Sequence, residues 1–465
     1  MTRPLRSSAV LHLYDTATGS VRELALREPD QVSIYLCGPT VYGPPHLGHG
    51  RATVTYDILR RYLTWGGLRV RLVSNITDID DKIIERAALE GRDATEIAQR
   101  CEAVWWQAMD QVGFERPTDI PHATGYVEQM VTMIGQLIEI GRAYPTEDGV
   151  YLSVATVEDY GLLSHQRLED MLAGGGEREV YGAEQKRAPA DFALWKVAKP
   201  GEPSWPSPWG DGRPGWHTEC VVMSLDLLGE GFDLHCGGQD LKFPHHENER
   251  AQAVALGKRF ANHWMHHGFI VDPSGEKMSK SLGNFDNLLD LIDRVDPRAF
   301  RMVLLQAHYR SPIAVAPETV DASLRAVGRL DGLARRAAQA GLPPVGPDAG
   351  VLAAFRTRMD DDLDTPGAMA VVFDAVTRAN AAFDAGDLVT GASFAAAVLE
   401  TCGAVGLALR ADDEVPAKVA AKAGALDAAR AARDFTTADA LRAELQAAGW
   451  IVETTKAGTT VRPST

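Results

Sequence analysis

The stretch that most limits what this chain can become is Cys37-Gly38-Pro39-Thr40-Val41-Tyr42-Gly43-Pro44-Pro45-His46-Leu47-Gly48-His49-Gly50. It follows a strand-like run, Val32 to Leu36, and leads into a helix-like one, Ala52 to Trp65. It therefore reads as the first βα turn of a parallel sheet, where nucleotide phosphates meet a helix N-terminus. Gly38, Pro39, Thr40 and Gly48 would lie against the nucleotide, the glycines permitting close approach of the backbone. His46 and His49, three apart, share one face of the first helical turn and can donate hydrogen bonds to phosphate oxygens as charge builds there. Cys37 ends the strand, facing the same crevice.

A second element stands more than two hundred residues downstream: Gly275-Glu276-Lys277-Met278-Ser279-Lys280-Ser281-Leu282-Gly283-Asn284. Lys277 and Lys280, three apart in a glycine-flanked segment, suit the outer phosphates of a triphosphate during displacement. In this order the two stretches resemble the two signature motifs of class I aminoacyl-tRNA synthetases. Four segments, the first within the opening stretch, are similar to those of cysteinyl-tRNA synthetases in particular: Cys37 to Tyr42, Asn75 to Lys82, Gly215 to Cys220, and Phe243 to Glu249. The resemblance extends over nearly the whole chain.

At 465 residues the chain exceeds one ordinary core. No apolar run reaches the eighteen or so residues of a membrane span, and Met1 to Ser8 lack a signal peptide's apolar stretch, so a cytoplasmic protein without membrane association is expected. Five scattered cysteines suit a reducing compartment, with metal binding open to some of them. A formal charge of −16 argues against indiscriminate nucleic-acid binding. Residues 298–465, however, hold 18 Lys+Arg against 20 Asp+Glu, so nearly all the excess negative charge lies earlier and a shape-selective RNA partner remains open.

In chain order, Val10 to Asp15 and Val21 to Leu26 read as a hairpin about Thr18-Gly19. A strand at Leu68 to Val73 delivers Asn75-Ile76-Thr77-Asp78 to its carboxyl end, and a helical pattern runs from about Ala94 to Tyr144 with Cys101 on its core face. Residues 115–212 form a loop-rich insert with a glycine tip at Gly174-Gly175-Gly176 and a Pro/Trp run over residues 200–210, read as an ordered loop pinned by its indoles. A strand is expected over Asp226 to Leu234, followed by a turn at Cys236-Gly237-Gly238-Gln239-Asp240 and a helix from His245. Gly237 and Gly238 would admit a nucleoside, and Asp240 would accept from a ribose or an ammonium group or cap a helix. Beyond Pro297, alanine-rich helical segments with short links predict a bundle, and from Ala411 a small α/β unit. The fold class is thus α/β. It comprises a Rossmann-like parallel-sheet domain over 1–297, split by a connective insert, then a helical bundle over 298–410 and an appendix over 411–465.

His245 and Glu249, four apart on a helix, can place imidazole and carboxylate around one ion. Zinc normally takes four ligands, so two thiolates are wanted. The candidates are Cys37, Cys220 and Cys236, and spacing does not separate Cys220 from Cys236. The resemblance does: Cys37, Cys220, His245 and Glu249 occupy the positions of the family's zinc ligands.

The resemblance further implies ATP-dependent activation of L-cysteine, with Mg2+ accompanying ATP, and transfer to tRNA(Cys). The bundle and appendix would grip the tRNA, Thr77 and Trp216 would contact the amino acid, and the protein would act as a monomer. Cysteine differs from serine by one atom, which size alone would discriminate by only about one to three kcal/mol. A zinc ion that prefers thiolate to hydroxyl removes the need for a proofreading domain, in keeping with the small insert. The nearest alternative, a cysteine ligase of mycothiol synthesis that joins activated cysteine to an amino sugar, resembles the catalytic part but lacks an extensive RNA-gripping tail.

Overall fold

The hairpin that starts the described chain, β1 (His12–Asp15) with β2 (Ser20–Glu23), leads into β3 (Gln31–Leu36), whose Val-Ser-Ile-Tyr-Leu run is buried on both faces. Burial of both faces is what a parallel strand covered by helices requires. The computed structural model describes residues 11–166, 185–271, 287–340, 345–411, 417–447, 450–455 and 458–463. After β3 the chain forms α1 (Leu47–Trp65) and returns as β4 (Arg69–Ser74), parallel to β3. Then follow α2 (Asp81–Glu90), α3 (Ala94–Gln111) and α4 (Val127–Glu139). An antiparallel sheet comes next, with strands β5 (Ala143–Pro145), β6 (Gly149–Leu152), β7 (Phe192–Val197) and β8 (Gly212–Pro214) in sequential order. The chain re-enters the first sheet through α5 (Trp216–Leu228), β9 (Leu234–Gly238), α6 (Glu247–Ala255) and β10 (His263–His267).

The strand order of that parallel sheet is β10-β9-β3-β4. From β3 the chain winds first toward β4 and, after the antiparallel insert, toward β9. The order therefore reverses between β3 and β9, and the crevice at their carboxyl ends is where open α/β sheets bind ligands. Register fixes what faces it. Tyr35 lies opposite His235 and Leu36 opposite Cys236. Because side chains alternate with period two, Leu36 and Cys236 pack on the α1 side with Val54 and Leu234, while Tyr35 joins Cys220 and Val221 on the other side.

Beyond residue 297 the helices Arg298–Leu305, Pro317–Gln339, Ala349–Met359, Thr365–Asp384 and Leu388–Ala404 form the expected bundle. Helices Ala417–Ala431 and Phe435–Ala447 with an antiparallel pair, Trp450–Thr455 and Gly458–Pro463, enclose a separate small core of Ala423, Leu426, Leu445 and Val461. Among the described residues no helix is long and apolar enough to cross a membrane. Cys101 is buried, as its periodicity predicts, and so is Cys402.

Three expectations are corrected. Asp226 to Leu234 is no strand: α5 runs to Leu228, and Gly229 and Gly231 at φ +75° and +65° turn the chain before β9 begins. Cys236, Gly237 and Gly238, expected in a turn, are the end of β9 itself. A Cβ on Gly237 would lie 2.7 Å from the His246 ring, so this glycine is required by close approach within the protein. The helical pattern over 94–144 is two helices, and between them Asp119 and His122 bridge Val73 and Ile76 alongside β4. Pro117 and Pro121 in that segment exclude a continuous helix. The glycine tip at 174–176 and the loop carrying Lys277 and Lys280 lie outside the described residues.

One buried ion pair ties α1 to the bundle. Arg301 reaches Asp57 of α1 at 2.6 Å with both side chains shielded from solvent, and also donates to the carbonyls of Val112, Gly113 and Val405. Arg61 bonds the same Asp57 oxygen at 2.8 Å. Replacing Arg301 with Leu is expected to cost about 3 to 5 kcal/mol, the range for removing one partner of a buried pair. The check is a lowered midpoint in urea denaturation; an unchanged midpoint would mean that Arg61 alone compensates Asp57.

Candidate active site

Three strand ends build the site. Cys37 follows β3, and its backbone N–H donates to the Cys236 carbonyl at 3.2 Å. Asn75 follows β4 and accepts from the Gly38 N–H at 2.9 Å and from the Tyr35 hydroxyl at 3.2 Å. The segment after Cys37 then pairs with the segment after β4: Thr77 N–H donates to the Pro39 carbonyl, Val41 N–H to the Thr77 carbonyl, and Thr40 bridges Thr77. The Cys37-to-Tyr42 and Asn75-to-Asp78 motifs are thus one structure. Cys37, Gly38, Pro39, His49 and Asn75 line a cavity of about 40 Å³.

On the other side of β3, Cys220 comes from α5, His245 from the turn entering α6, and Glu249 from the first turn of α6 itself. Cys37 Sγ lies 3.7 Å from Cys220 Sγ and 3.4 Å from Glu249 Oε1. His245 Nε2 lies 3.7 Å from Cys220 Sγ and 2.8 Å from Glu249 Oε1. A tetrahedral zinc with ordinary bond lengths has ligand-to-ligand edges of roughly 3.4 to 3.8 Å. Three of these four edges match, and only the imidazole–carboxylate edge is shorter, as a direct hydrogen bond requires. His245 Nδ1 stands 2.9 Å from His217 Nδ1, the outer support that orients a ligating imidazole. Cys236, by contrast, is sealed in the α1-side core, and burial pushes its thiol well above the usual range.

The electrostatics favour a cation. Burial would raise the Glu249 carboxyl, but the imidazoles of His235 and His245 overcome that and hold it well below the usual range. His245 is raised to about 10: burial opposes its charge, and Glu249 and Cys220 outweigh the burial. Cys220 falls to about 6 against the same burial, helped by the Cys37 thiol and His245, whereas burial and Cys220 push the Cys37 thiol up. Two thiols, an imidazole and a carboxylate within this reach of one another are a ligand set of the borderline-soft class.

His46 is the N-cap of α1. Its backbone N–H donates to His49 Nδ1 at 3.3 Å, and the His49 N–H donates to His46 Nδ1 at 3.2 Å, with the rings stacked at 3.6 Å. With each Nδ1 accepting, each ring's proton resides on Nε2. Burial, then His46 and Lys82, push His49 down to about 3, so it is a neutral donor at physiological pH. Thr77 is buried. Its hydroxyl donates to Glu219 Oε2 at 2.7 Å and accepts from Asn75 Nδ2 at 3.1 Å. Trp216 is half-buried and stacks on His245 at 3.9 Å rather than inside a core. Trp216, His217, Glu219, Lys196 and Ile79 border a cavity of about 240 Å³ beside this stack. Gly237 and Gly238 end β9, and Asp240 is exposed just beyond them.

Asn75, Glu219 and His246 lie within motifs legible in the sequence, which gave them no role of their own, and His235 lies outside those motifs. Glu219 is fully buried and its carboxyl is pushed well above the usual range by that burial and by Cys220. The signal for His235 was available in strand parity: once Cys236 is paired with Leu36, its neighbour must face the opposite side.

Residues 23–325 match the family described as tRNA synthetases class I (C) catalytic domain, and residues 354–410 match the DALR domain. The chain is 45% identical over 468 residues to a cysteine–tRNA ligase of Halorhodospira halophila, covering 97% of this chain and 99% of that protein. It is 44% identical to the cysteine–tRNA ligase of Micrococcus luteus, over 97% and 98% of the two chains. Among solved structures, Mycobacterium tuberculosis methionyl-tRNA synthetase bound by methionyl-adenylate superposes with a TM-score of 0.60 at 16% identity, covering 81% of this chain and 90% of that one, a likeness of fold. With identity at this level over nearly its full length and a catalytic-domain match across the sheet and its insert, the chain belongs to the cysteine–tRNA ligase family of class I tRNA synthetases.

Proposed function

We propose that this chain activates L-cysteine with ATP and transfers it to the 3′ end of tRNA(Cys), and that it selects cysteine at a zinc ion held by Cys37, Cys220, His245 and Glu249. The observation that carries the reading is that these four side chains, drawn from β3, α5 and α6, converge at the carboxyl edge of the sheet with all ligand atoms within 4.8 Å of one another. A zinc ion bound there would supply a receptor for the substrate's thiolate that a serine hydroxyl matches poorly.

The chain's own residues divide the remaining work. Trp216, stacked on His245, walls the amino-acid side of the cavity, and Thr77, fixed by Asn75, holds the Glu219 carboxyl that borders it. Attack of the cysteine carboxylate on the α-phosphate expels pyrophosphate, and no side-chain nucleophile is needed. Orientation and charge stabilisation suffice for this step and for transfer to the ribose hydroxyl. His46 and His49 offer Nε2–H donors to phosphates, and Lys277 and Lys280 are the residues we assign to the charge of the outer phosphates, with Mg2+ accompanying ATP. Gly38, Pro39, Thr40, Gly48, Gly237, Gly238 and Asp240 border the nucleotide. Residues 1–297 perform the activation, 298–410 and 411–465 hold the tRNA, and the protein works as a cytoplasmic monomer.

Three outcomes are expected. Cys220→Ser should lose its tightly held metal together with cysteine activation, while Cys236→Ser, altered on the far face of the sheet, should keep both; metal analysis of the purified variants decides. Lys280→Ala should slow cysteine-dependent ATP–pyrophosphate exchange on the order of a hundredfold with cysteine binding nearly intact, and an unchanged exchange rate would remove the lysine loop from the chemistry. Deletion of Ala411 to Thr465, which has its own small core, should preserve pyrophosphate exchange but raise the KM for tRNA, increasingly so with salt. An intact enzyme that joined cysteine to an amino sugar and charged no tRNA would overturn the function proposed here.

A further inference from the structure

A second ligand set overlaps the first. Cys37, His235, His246 and Glu249 also bring one donor atom each within 4.8 Å of one another, and the last three are fully buried. The two sets share Cys37 and Glu249 but use different faces of them. Glu249 Oε1 meets His245 at 2.8 Å, whereas Oε2 meets His235 Nε2 at 2.5 Å. Cys37 Sγ faces Cys220 at 3.7 Å on one side and His246 Nε2 at 3.3 Å on the other. The rings of His235 and His246 lie 4.4 Å apart.

Two observations make this more than a cluster of polar groups. His246 has the outer support of a ligating imidazole: its Nδ1 is 2.8 Å from His266 Nε2, whose Nδ1 is 2.7 Å from the Thr16 hydroxyl. A proton on each Nδ1 of that chain leaves His246 Nε2 as a lone pair aimed at Cys37. His235 is held in place by stacking on Trp264 at 4.6 Å and 13°, so its Nε2 cannot turn away from Glu249.

We infer that the protein has a second binding position for a zinc-like divalent cation, formed by His235, His246, the outer oxygen of Glu249 and the shared Cys37 thiolate. The inference rests on the first quartet being a metal site. With both positions filled, the Glu249 carboxylate and the Cys37 thiolate would each serve both cations. The second position is the weaker one. It has no thiolate of its own, and the buried His235 Nδ1 has no hydrogen-bond partner. Because its occupant draws on two ligands of the first ion, excess zinc should inhibit.

Equilibrium dialysis of the full chain against increasing Zn2+, with metal counted per protein, tests this, and Co2+ absorption gives an independent readout. The wild type should saturate at two equivalents, the second bound about ten- to a hundredfold more weakly, in line with the lack of outer support at His235. His235→Gln and His246→Gln should each stop at one, and Cys220→Ser, without the tight ion, should still take one in excess metal. Thermal transitions establish that the variants fold, and if His235→Gln does not, His246→Gln carries the comparison. A single equivalent in the wild type would overturn the second site while leaving the first. A second equivalent that persists in both histidine variants would also overturn it, and no metal at all would overturn both sites.

Discussion

A carboxylate sealed from water is the constraint on which this site depends. Glu249 is fully buried, and an unpaired charge there would cost far more than any one contact in the fold returns. His235 engages one of its oxygens and His245 the other, so the carboxylate fixes the angle between β9 and α6 and both imidazoles with it. Cys37 and Cys220 close the remaining sides. The arrangement is short of one positive centre, and a soft divalent cation fits that need better than further protons, which the two thiols and two imidazoles already share.

The surrounding architecture keeps these groups from separating. Asn75 stitches the ends of β3 and β4 through Gly38 and Tyr35. The antiparallel insert is anchored by Asp81 at the start of α2, which pairs with Lys196 of β7 at 2.6 Å and with Arg213 of β8. The bundle is held from two directions, by Arg301 on Asp57 and by Asp362. Asp362 accepts from the Tyr14 N–H, the Tyr309 hydroxyl and Arg310 while its own backbone sits at φ +52°. A non-glycine residue in the left-handed region persists where surrounding bonds over-determine it. Arg51 adds a third tie, donating from α1 to the carbonyls of Phe269, Tyr309 and Ser311. The chain on either side of residues 272–286 is thereby fastened to the helix that carries His49.

Local chemistry was legible where short-range rules govern it. The βα turn at Cys37 to Gly50, the helices of the bundle and the small terminal unit all follow from hydrophobic period and from glycine and proline placement. The misread segment, Asp226 to Gly238, shows where those rules fail. An apolar run interrupted by two glycines serves equally as a strand or as a helix end plus a turn, and the choice fell to packing of α5 against Tyr35 and Val73. The short apolar stretch at Leu234 to Cys236 then became a strand because β3 and β10 offered it partners on both sides.

The sequence by itself determined that a glycine-rich turn precedes a helix and that His245 and Glu249 share a helical face, and it left open which of three cysteines stand beside them. Its resemblance to a known family named Cys37 and Cys220. What only the tertiary structure decided is which cysteine can reach: Cys220 is drawn against Cys37 by the packing of α5 on β3, while Cys236, one step out of phase in β9, faces away. It also decided that His235 and His246 stand behind the first ligand set. Spacing along the chain fixes side chains only within one element, whereas strand register and the angle of helix on sheet are set by contacts between residues hundreds of positions apart.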